Sequence, residues 1–268
     1  MKILYFGDVF GKPGRKALSK ALEKLVPLHE PDFIIVNGEN AAHGRGITPE
    51  IATQFHDWGV DVVTTGNHAW DQKVIIPFMD RETWIIRPIN YPSSSEYRCP
   101  GKGMTEVTSN RNGERKRLVV IQAIGRVFME DSDCPFRAVE DQVLQLRRQG
   151  VKHVFVDFHA EASSEKQAFM SFLDGRVSAV VGSHAHVQTA DERVLPYGTA
   201  AITDVGMTGC FDSVIGVKKE ISIAKFLTKR HQKFEPADGP GGYGAVLITL
   251  HPETGKALSI KRFRETVI

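Results

Sequence analysis

The sequence is short of cysteine, of net charge and of long apolar runs, and each shortage closes off a class of protein. Only three cysteines occur among 268 residues, Cys99, Cys134 and Cys210, far apart and in no CxxC pair. Neither a disulfide framework nor a structural zinc knot is therefore expected, and a reducing, cytoplasmic setting fits best. Lys and Arg total 34 against 32 Asp and Glu, a formal charge of +2. That balance argues against a chain devoted to non-specific nucleic-acid binding, which needs a clustered cationic excess. RNA is thus not indicated as a partner by charge. No apolar run approaches the roughly 20 residues needed to span a bilayer. The four-residue run Ile3 to Phe6, broken by Gly7 and Asp8, is too short for a secretory signal. No membrane partner is expected.

Several catalytic signatures are missing as well. Gly7 to Gly14 follows a strand-like run, but its glycines are spaced GxxxGxxG and Pro13 intrudes, so it is no dinucleotide fingerprint. No P-loop, GxSxG elbow or HExxH occurs. What the chain does have is ten histidines in an otherwise ordinary globular composition, 41% hydrophobic and 25% charged.

Short β-branched runs alternate with longer amphipathic stretches, which predicts an α/β fold. Strands are expected at Ile3–Phe6, Phe33–Val36, Val60–Thr64, Trp84–Ile86, Val154–Phe158 and Val177–Val181. Helices are expected at Gly14–Val26, from Thr48-Pro49 to Trp58, and at Val74–Met79, Arg137–Gln149 and Glu220–Thr228. Asn112-Gly113 predicts a hairpin between Thr105–Val107 and Leu118–Gln122, and Tyr243–Leu250 with Ala257–Phe263 a closing one. Pro92, Ser93 to Ser95 and Pro100 mark Tyr91–Gly103 as a loop or the stem of a small insertion. Residues 1–268 read as one domain, with at most a small cap.

The expected strands share one property: each ends in a group able to bind a metal. Asp8 follows the first, Glu39-Asn40 the second, Asn67-His68 the third, His159 the Val154 strand, and His184-Ala185-His186 the Val177 strand. In sheets with crossover helices ligands gather beyond the carboxyl ends of strands, so these five segments can converge. Residues two apart in an extended segment share a face, which would aim His184 and His186 together. A mixed oxygen and nitrogen set suits Mn, Fe or Zn. Two divalent ions set against Asp8 and Glu39 leave a surplus of about +2, attractive to phosphate. Two ions about 3.5–4 Å apart can hold a hydroxide in line with phosphorus.

Asp8 after an N-terminal strand, Gly66-Asn67-His68, a solitary histidine and Gly182-Ser183-His184-Ala185-His186 resemble the signature of calcineurin-like metallophosphoesterases. Gly7-Asp8-Val9-Phe10-Gly11, Asn37-Gly38-Glu39-Asn40-Ala41-Ala42-His43-Gly44, Asp157-Phe158-His159-Ala160-Glu161-Ala162 and Thr203-Asp204-Val205-Gly206-Met207-Thr208-Gly209 are similar to the compact bacterial YmdB-type phosphodiesterases. The resemblance covers nearly the whole chain. It implies an α/β/β/α sandwich of mixed sheets with flanking helices. It implies that Asp8, Glu39, Asn40 and His186 hold one metal, that Glu39 bridges to a second held with Asn67, His159 and His184, and that His68 donates a proton to the leaving oxygen. It implies a dinuclear centre, iron or a similar metal, and hydrolysis of 2′,3′-cyclic or 3′,5′-cyclic AMP.

Against the wider superfamily, Phe10 stands where an Asp-x-His motif has histidine, Glu39 where the bridge is usually Asp, and Ala69 where Asp or Glu follows Asn-His. Asn40 is the expected substitute for the lost imidazole, and Asp71 the candidate to orient His68. His43 and Arg45 either reach the substrate phosphate or lie on a solvated loop, and Glu161 and Asp204 either support the ligands or cap turns. His29, His56, His153, His231 and His251 lack such company and read as surface or packing residues. Asp8, Asn40, Asn67 or His159 alone would read as a turn or packing residue; together they read as a metal site.

The expected function is a metal-dependent phosphodiesterase acting on a small cyclic nucleotide. Attack comes from a hydroxide held by two divalent or trivalent ions, with His68 as proton donor. A phosphomonoesterase or RNA-end phosphatase using the same site is the enzymatic alternative. A regulatory nucleotide- or RNA-binding protein with incidental hydrolysis is the other. A homo-oligomer is compatible with the sequence but not specified by it.

Overall fold

The computed structural model describes residues 1–94 and 96–267. Ser95, in the expected Tyr91–Gly103 loop, and Ile268 lie outside the described residues. In chain order the elements are β1 (Lys2–Phe6), α1 (Gly11–His29), β2 (Phe33–Asn37), α2 (Pro49–Asp57), β3 (Val62–Thr64), a 3₁₀ turn (Lys73–Ile75) running into α3 (Ile76–Arg81), β4 (Ile85–Ile86), β5 (Met104–Ser109) and β6 (Lys116–Ile124). There follow α4 (Pro135–Arg148), β7 (Val154–His159), α5 (Ser163–Leu173), β8 (Ala179–Ser183), β9 (Arg193–Val194), β10 (Ala200–Ile202), β11 (Gly209–Cys210), α6 (Lys219–Thr228), β12 (Gly241–Leu250) and β13 (Ala257–Thr266).

Two mixed sheets face each other. One has the order β11-β12-β1-β2-β3-β4 with β13 beside β12, and the other the order β5-β6-β7-β8-β10-β9. Strands β1 to β4 are mutually parallel, as are β6, β7, β8 and β10. Alternation along β1 shows why the layers stack: Ile3 and Tyr5 enter the apolar layer between the sheets, while Leu4 and Phe6 face the layer under α1 and α2. Phe155, Val181 and Ile202 close the middle layer from the second sheet. Phe158, Phe169 and Met170 fill a third layer beneath α4 and α5. The expected α/β/β/α sandwich is therefore the observed one.

The differences from expectation have local causes. Helix α1 starts at Gly11, with Pro13 in the first turn where no N–H is needed, and continues past Pro27 to His29. Helix α5 was not expected: its buried face mixes Phe169, Met170 and Leu173 with Lys166, which blurs the apolar stripe. Strands β9, β10 and β11, only two or three residues long, sit in a glycine-punctuated stretch that carries no strand periodicity. Both expected hairpins form, and Thr48 caps α2 with Pro49 in its first turn. No described helix is long and apolar enough to cross a membrane.

Buried Asp32 ties the β5–β6 hairpin to the starts of β1 and β2 in the first sheet. Its carboxylate accepts from the Lys2 backbone N–H at 2.7 Å and from Asn112 Nδ2 and Lys116 Nζ at 2.8 Å each. Burial pushes the carboxyl up, but Lys116 and these hydrogen bonds prevail and hold it below the ordinary 3.8. A depressed folded-state value gives stability that is complete above the unfolded value and fades as pH falls through the folded one. Asp32→Asn is expected to cost about 1.5–3 kcal/mol at pH 7, a gap that narrows below about pH 4. Urea melts at pH 7 and pH 3 check this; a gap independent of pH would refute it.

Candidate metal centre

Five segments meet where the parallel strands of both sheets end. Asp8 lies two residues beyond β1, Glu39 and Asn40 follow β2, Asn67 and His68 follow β3, His159 is the last residue of β7, and His184 and His186 follow β8. Every residue expected in the site is brought there. Asp8, Glu39 and His159 are buried at 0–1% exposure.

His159 Nε2 lies 3.1 Å from Glu39 Oε1, 3.0 Å from Asn67 Oδ1 and 3.0 Å from His184 Nδ1. Next to this group, His186 Nε2 is 3.2 Å from Asn40 Oδ1. Glu39, His159 and His184 form one set of donor atoms close enough to share an ion, and Asp8, Glu39 and His186 form another, with Glu39 common to both. Asn40 keeps its oxygen directed at the site because its amide nitrogen donates to Gly44 O at 3.2 Å.

Does this arrangement fit a metal? Each imidazole has its outer nitrogen satisfied. His159 Nδ1 meets Ser183 Oγ at 2.9 Å, His184 Nε2 meets Glu161 at 3.1 Å, and His186 Nδ1 meets the Ile215 carbonyl at 2.8 Å. With those outer nitrogens engaged, the inner nitrogens can serve a bound cation as lone-pair donors, the tautomer a metal ligand requires. Asp8 Oδ2 accepts from the His184 N–H at 3.1 Å, while Oδ1 is buried with no partner among the described residues. An orphaned carboxylate oxygen there is costly unless a cation meets it.

Charge tells the same story. Burial raises the Asp8 carboxyl against the pull of His186 and His159. Burial also pushes Glu39 up, but His159, His68 and His184 hold it below the carboxylate range. Burial would lower His159, yet Glu39, Asp8 and Asp157 raise it above its ordinary value. Burial and then His159 hold His184 down at about 3. A buried anionic pair balanced by a protonated imidazole is the state a bound cation would replace. A Cβ at Gly66 would stand 2.3 Å from Glu39 Oε2 and 2.5 Å from His159 Nε2, so only glycine lets the chain pass here.

His68 stands at the rim. Its backbone N–H donates to Glu39 Oε2 at 3.2 Å, and its Nδ1 donates to Asp71 Oδ2 at 2.9 Å. Arg45 Nε also reaches Asp71 Oδ2, at 2.6 Å.

A sequence profile of YmdB-like proteins matches residues 4–263. The chain belongs to the YmdB-like family. The 2′,3′-cyclic-nucleotide 2′-phosphodiesterase of Bacillus subtilis (strain 168) is 44% identical over 262 residues, 98% of this chain and 96% of that protein. A hypothetical protein from Thermus thermophilus superposes with a TM-score of 0.89 at 39% identity, covering 99% of both chains. A Mycoplasma pneumoniae protein described as a novel phosphatase superposes at 0.90 with 31% identity, covering 99% of this chain and 93% of that one.

In this YmdB-like chain the aim of the histidines has a different cause from the one expected. His184 and His186 do not share the face of a strand. They lie in a loop with φ of 99° and 64°, a left-handed backbone that costs energy for non-glycine residues. Asp204 holds that loop. Its Oδ2 accepts from the Ala185 N–H at 3.1 Å and from Lys166 Nζ at 2.6 Å, and its Oδ1 from the Gly206 N–H at 2.7 Å. Glu161, the other residue in question, supports His184. Phe10 packs edge-on against His186, centroids 5.5 Å apart, so it walls the site without offering a ligand. His43 is exposed on its loop, and Arg45 is engaged with Asp71.

Removing the cation from the Lys166–Asp204 pair, both 1% exposed, would leave a buried carboxylate beneath the histidine loop. Lys166→Met is expected to lower stability by about 3–5 kcal/mol, read as a shift in the denaturation midpoint. A shift under about 1 kcal/mol would assign the pair no structural role.

Sequence reasoning also missed a polar cluster between the sheets. Asp157 on β7 accepts from Tyr5 OH at 2.9 Å, Asn37 Nδ2 at 3.3 Å, Thr64 Oγ1, and Ser183 Oγ at 2.7 Å. Ser183 Oγ in turn accepts from His159 Nδ1, so β1, β2, β3 and β8 all contribute to fixing the orientation of the His159 ring. The only linear signal was an aspartate inside an apolar strand run.

Proposed function

We propose that this YmdB-like protein is a metal-dependent phosphodiesterase that opens the cyclic phosphate of small nucleotides, 2′,3′-cyclic AMP or 3′,5′-cyclic AMP. The observation that carries this reading is the set of three histidines with satisfied outer nitrogens, gathered on two buried carboxylates of which one is orphaned. Asp8, Glu39, Asn40 and His186 would hold one ion; Glu39, Asn67, His159 and His184 would hold the second. Iron fits these ligands, as do manganese and zinc. When bound, such ions supply Lewis acidity toward phosphate oxygens and lower the pKa of water.

The chain's own residues do the rest. His68 would present Nε2 to the leaving oxygen while Asp71 holds Nδ1 and with it the plane of the ring. In the 2′,3′-cyclic case a bond forms between water oxygen and phosphorus, the P–O2′ bond breaks, O2′ takes the proton from His68, and the proton shed by the water restores His68, leaving a 3′-phosphate. Residues 1–268 would work as one domain, a reading supported by the apolar layer the two sheets share.

The test is a substrate panel on protein loaded separately with Mn, Fe or Zn. Turnover of 2′,3′-cyclic or 3′,5′-cyclic AMP with 5′-AMP left intact is expected. Hydrolysis of monoesters with both cyclic diesters untouched would overturn the reading in favour of a phosphomonoesterase.

A further inference from the structure

The first turns of α1 carry a charge asymmetry that the near-zero net charge conceals. Between Gly11 and Leu22 the helix has Lys12, Arg15, Lys16 and Lys20 and no acidic residue. Lys12, Lys16 and Lys20 are exposed and four residues apart, hence on one face. Among the described residues neither Lys12 nor Lys16 has a carboxylate within salt-bridge reach, and Lys20 has only the exposed Glu23 at 3.4 Å, a pair worth little. These side chains line a groove of about 680 Å³ whose other wall includes Gln54 and the indole of Trp58.

The helix that lines this groove starts beside the metal centre. The Gly11 N–H donates to Asn40 O at 2.9 Å, the Arg15 guanidinium donates to Ala41 O, and Asn40 Oδ1 faces His186. From Lys12 to Lys20 the helix advances roughly 12 Å, one cation every 6 Å or so, a spacing that successive phosphates of an extended single strand can follow. Trp58, half-buried with its ring 5.7 Å from that of Phe55, lines the groove and offers it aromatic surface against which a base can pack. A free mononucleotide occupying the centre has no phosphate to offer Lys16 or Lys20.

We propose that the α1 groove binds the backbone of a single-stranded oligoribonucleotide whose 2′,3′-cyclic phosphate end occupies the metal centre. This rests on the phosphodiesterase reading above. Such ends arise when a ribose 2′-OH attacks the adjacent phosphodiester: the O2′–P bond forms, the P–O5′ bond breaks, and O5′ takes the proton. The reaction that supplies this substrate is therefore RNA cleavage by transesterification. The present enzyme would convert its product to a 3′-phosphate end.

The experiment compares 2′,3′-cyclic AMP with a tetraribonucleotide ending in 2′,3′-cyclic phosphate, in wild type and in K16E/K20E. Anisotropy of a fluorescent 3′-phosphorylated tetramer serves as an independent binding readout. Wild type should favour the tetramer by kcat/KM. The double variant should lose roughly tenfold on the tetramer while its rate on 2′,3′-cyclic AMP stays within twofold. Its slope of log affinity against log salt should fall by about 1.4. Trp58→Ala should weaken the tetramer alone. If 2′,3′-cyclic AMP is turned over but tetramer binding and turnover are the same in wild type and K16E/K20E, the groove proposal fails and the catalytic reading stands. If neither substrate is turned over, the catalytic reading fails, and tetramer binding that K16E/K20E abolishes would still support the groove. Binding of polyglutamate with no binding of the tetramer would reassign the groove to an acidic protein partner and overturn the proposal.

Discussion

Glu39→Gln is expected to empty both metal positions and abolish phosphodiester hydrolysis. Glu39 is the one residue common to the two donor sets, and glutamine keeps its shape while removing the negative charge that would face both ions. Its Oε1 lies 3.1 Å from His159 Nε2 and its Oε2 accepts from the His68 N–H at 3.2 Å. The substitution therefore loosens the second set and the rim together. Loss of the Lewis-acid contribution is worth several kcal/mol, on the order of 10³-fold or more in rate. Metal analysis of gently purified variant and wild type gives a readout separate from activity. Two ions per chain in the variant, or activity within tenfold of wild type, would remove Glu39 from the bridging role.

His68→Ala should leave metal content unchanged and lower turnover of cyclic nucleotides by roughly 10²–10⁴-fold. The ring belongs to neither donor set; Asp71 fixes Nδ1 at 2.9 Å and, among the described residues, Nε2 meets only the amide nitrogen of Asn67, at 3.3 Å, so its loss should not empty the metal positions. Leaving-group chemistry distinguishes a proton donor from a binding residue. A ribose oxygen needs a proton as it departs, whereas a nitrophenolate does not. The variant should accordingly lose far less on bis(p-nitrophenyl) phosphate than on 2′,3′-cyclic AMP. Equal losses on both would assign His68 to positioning of the phosphate instead. Asp71→Asn, which keeps the contact but weakens its hold, should cost about 10–100-fold.

These outcomes draw on features that differ in how far the linear sequence discloses them. The ligand segments were legible because each is local: a short apolar run followed at once by Asp8, Glu39-Asn40, Asn67-His68, His159 or His184. The parallel arrangement that unites them follows from the alternation of strands and helices. The conformation at His184 and His186 was not legible, since left-handed backbone at two non-glycine residues depends on Asp204 and Lys166, which come from other segments. Asp157 could not be weighed either, because its four donors come from β1, β2, β3 and the end of β8. The basic face of α1 was present in the sequence as Lys12, Lys16 and Lys20, but totals of charge average it away. Only the groove between α1 and Trp58 gives that face a direction.

The place of β12 in the first sheet has a consequence for how the protein is made. Strand β1 lies between β2 and β12, with Phe6 opposite Ala245. As the chain leaves the ribosome, Asp8, Glu39 and His68 emerge before β12, so one edge of β1 stays open until Gly241–Leu250 arrives. Pairings of such long sequence separation are slow to form, and open strand edges invite misassociation in the interval. The candidate ligands span Asp8 to His186, but β1 gains its second neighbour only once Gly241–Leu250 has been made. A truncation within Gly241–Thr266 is therefore expected to act on the candidate centre without touching a single candidate ligand.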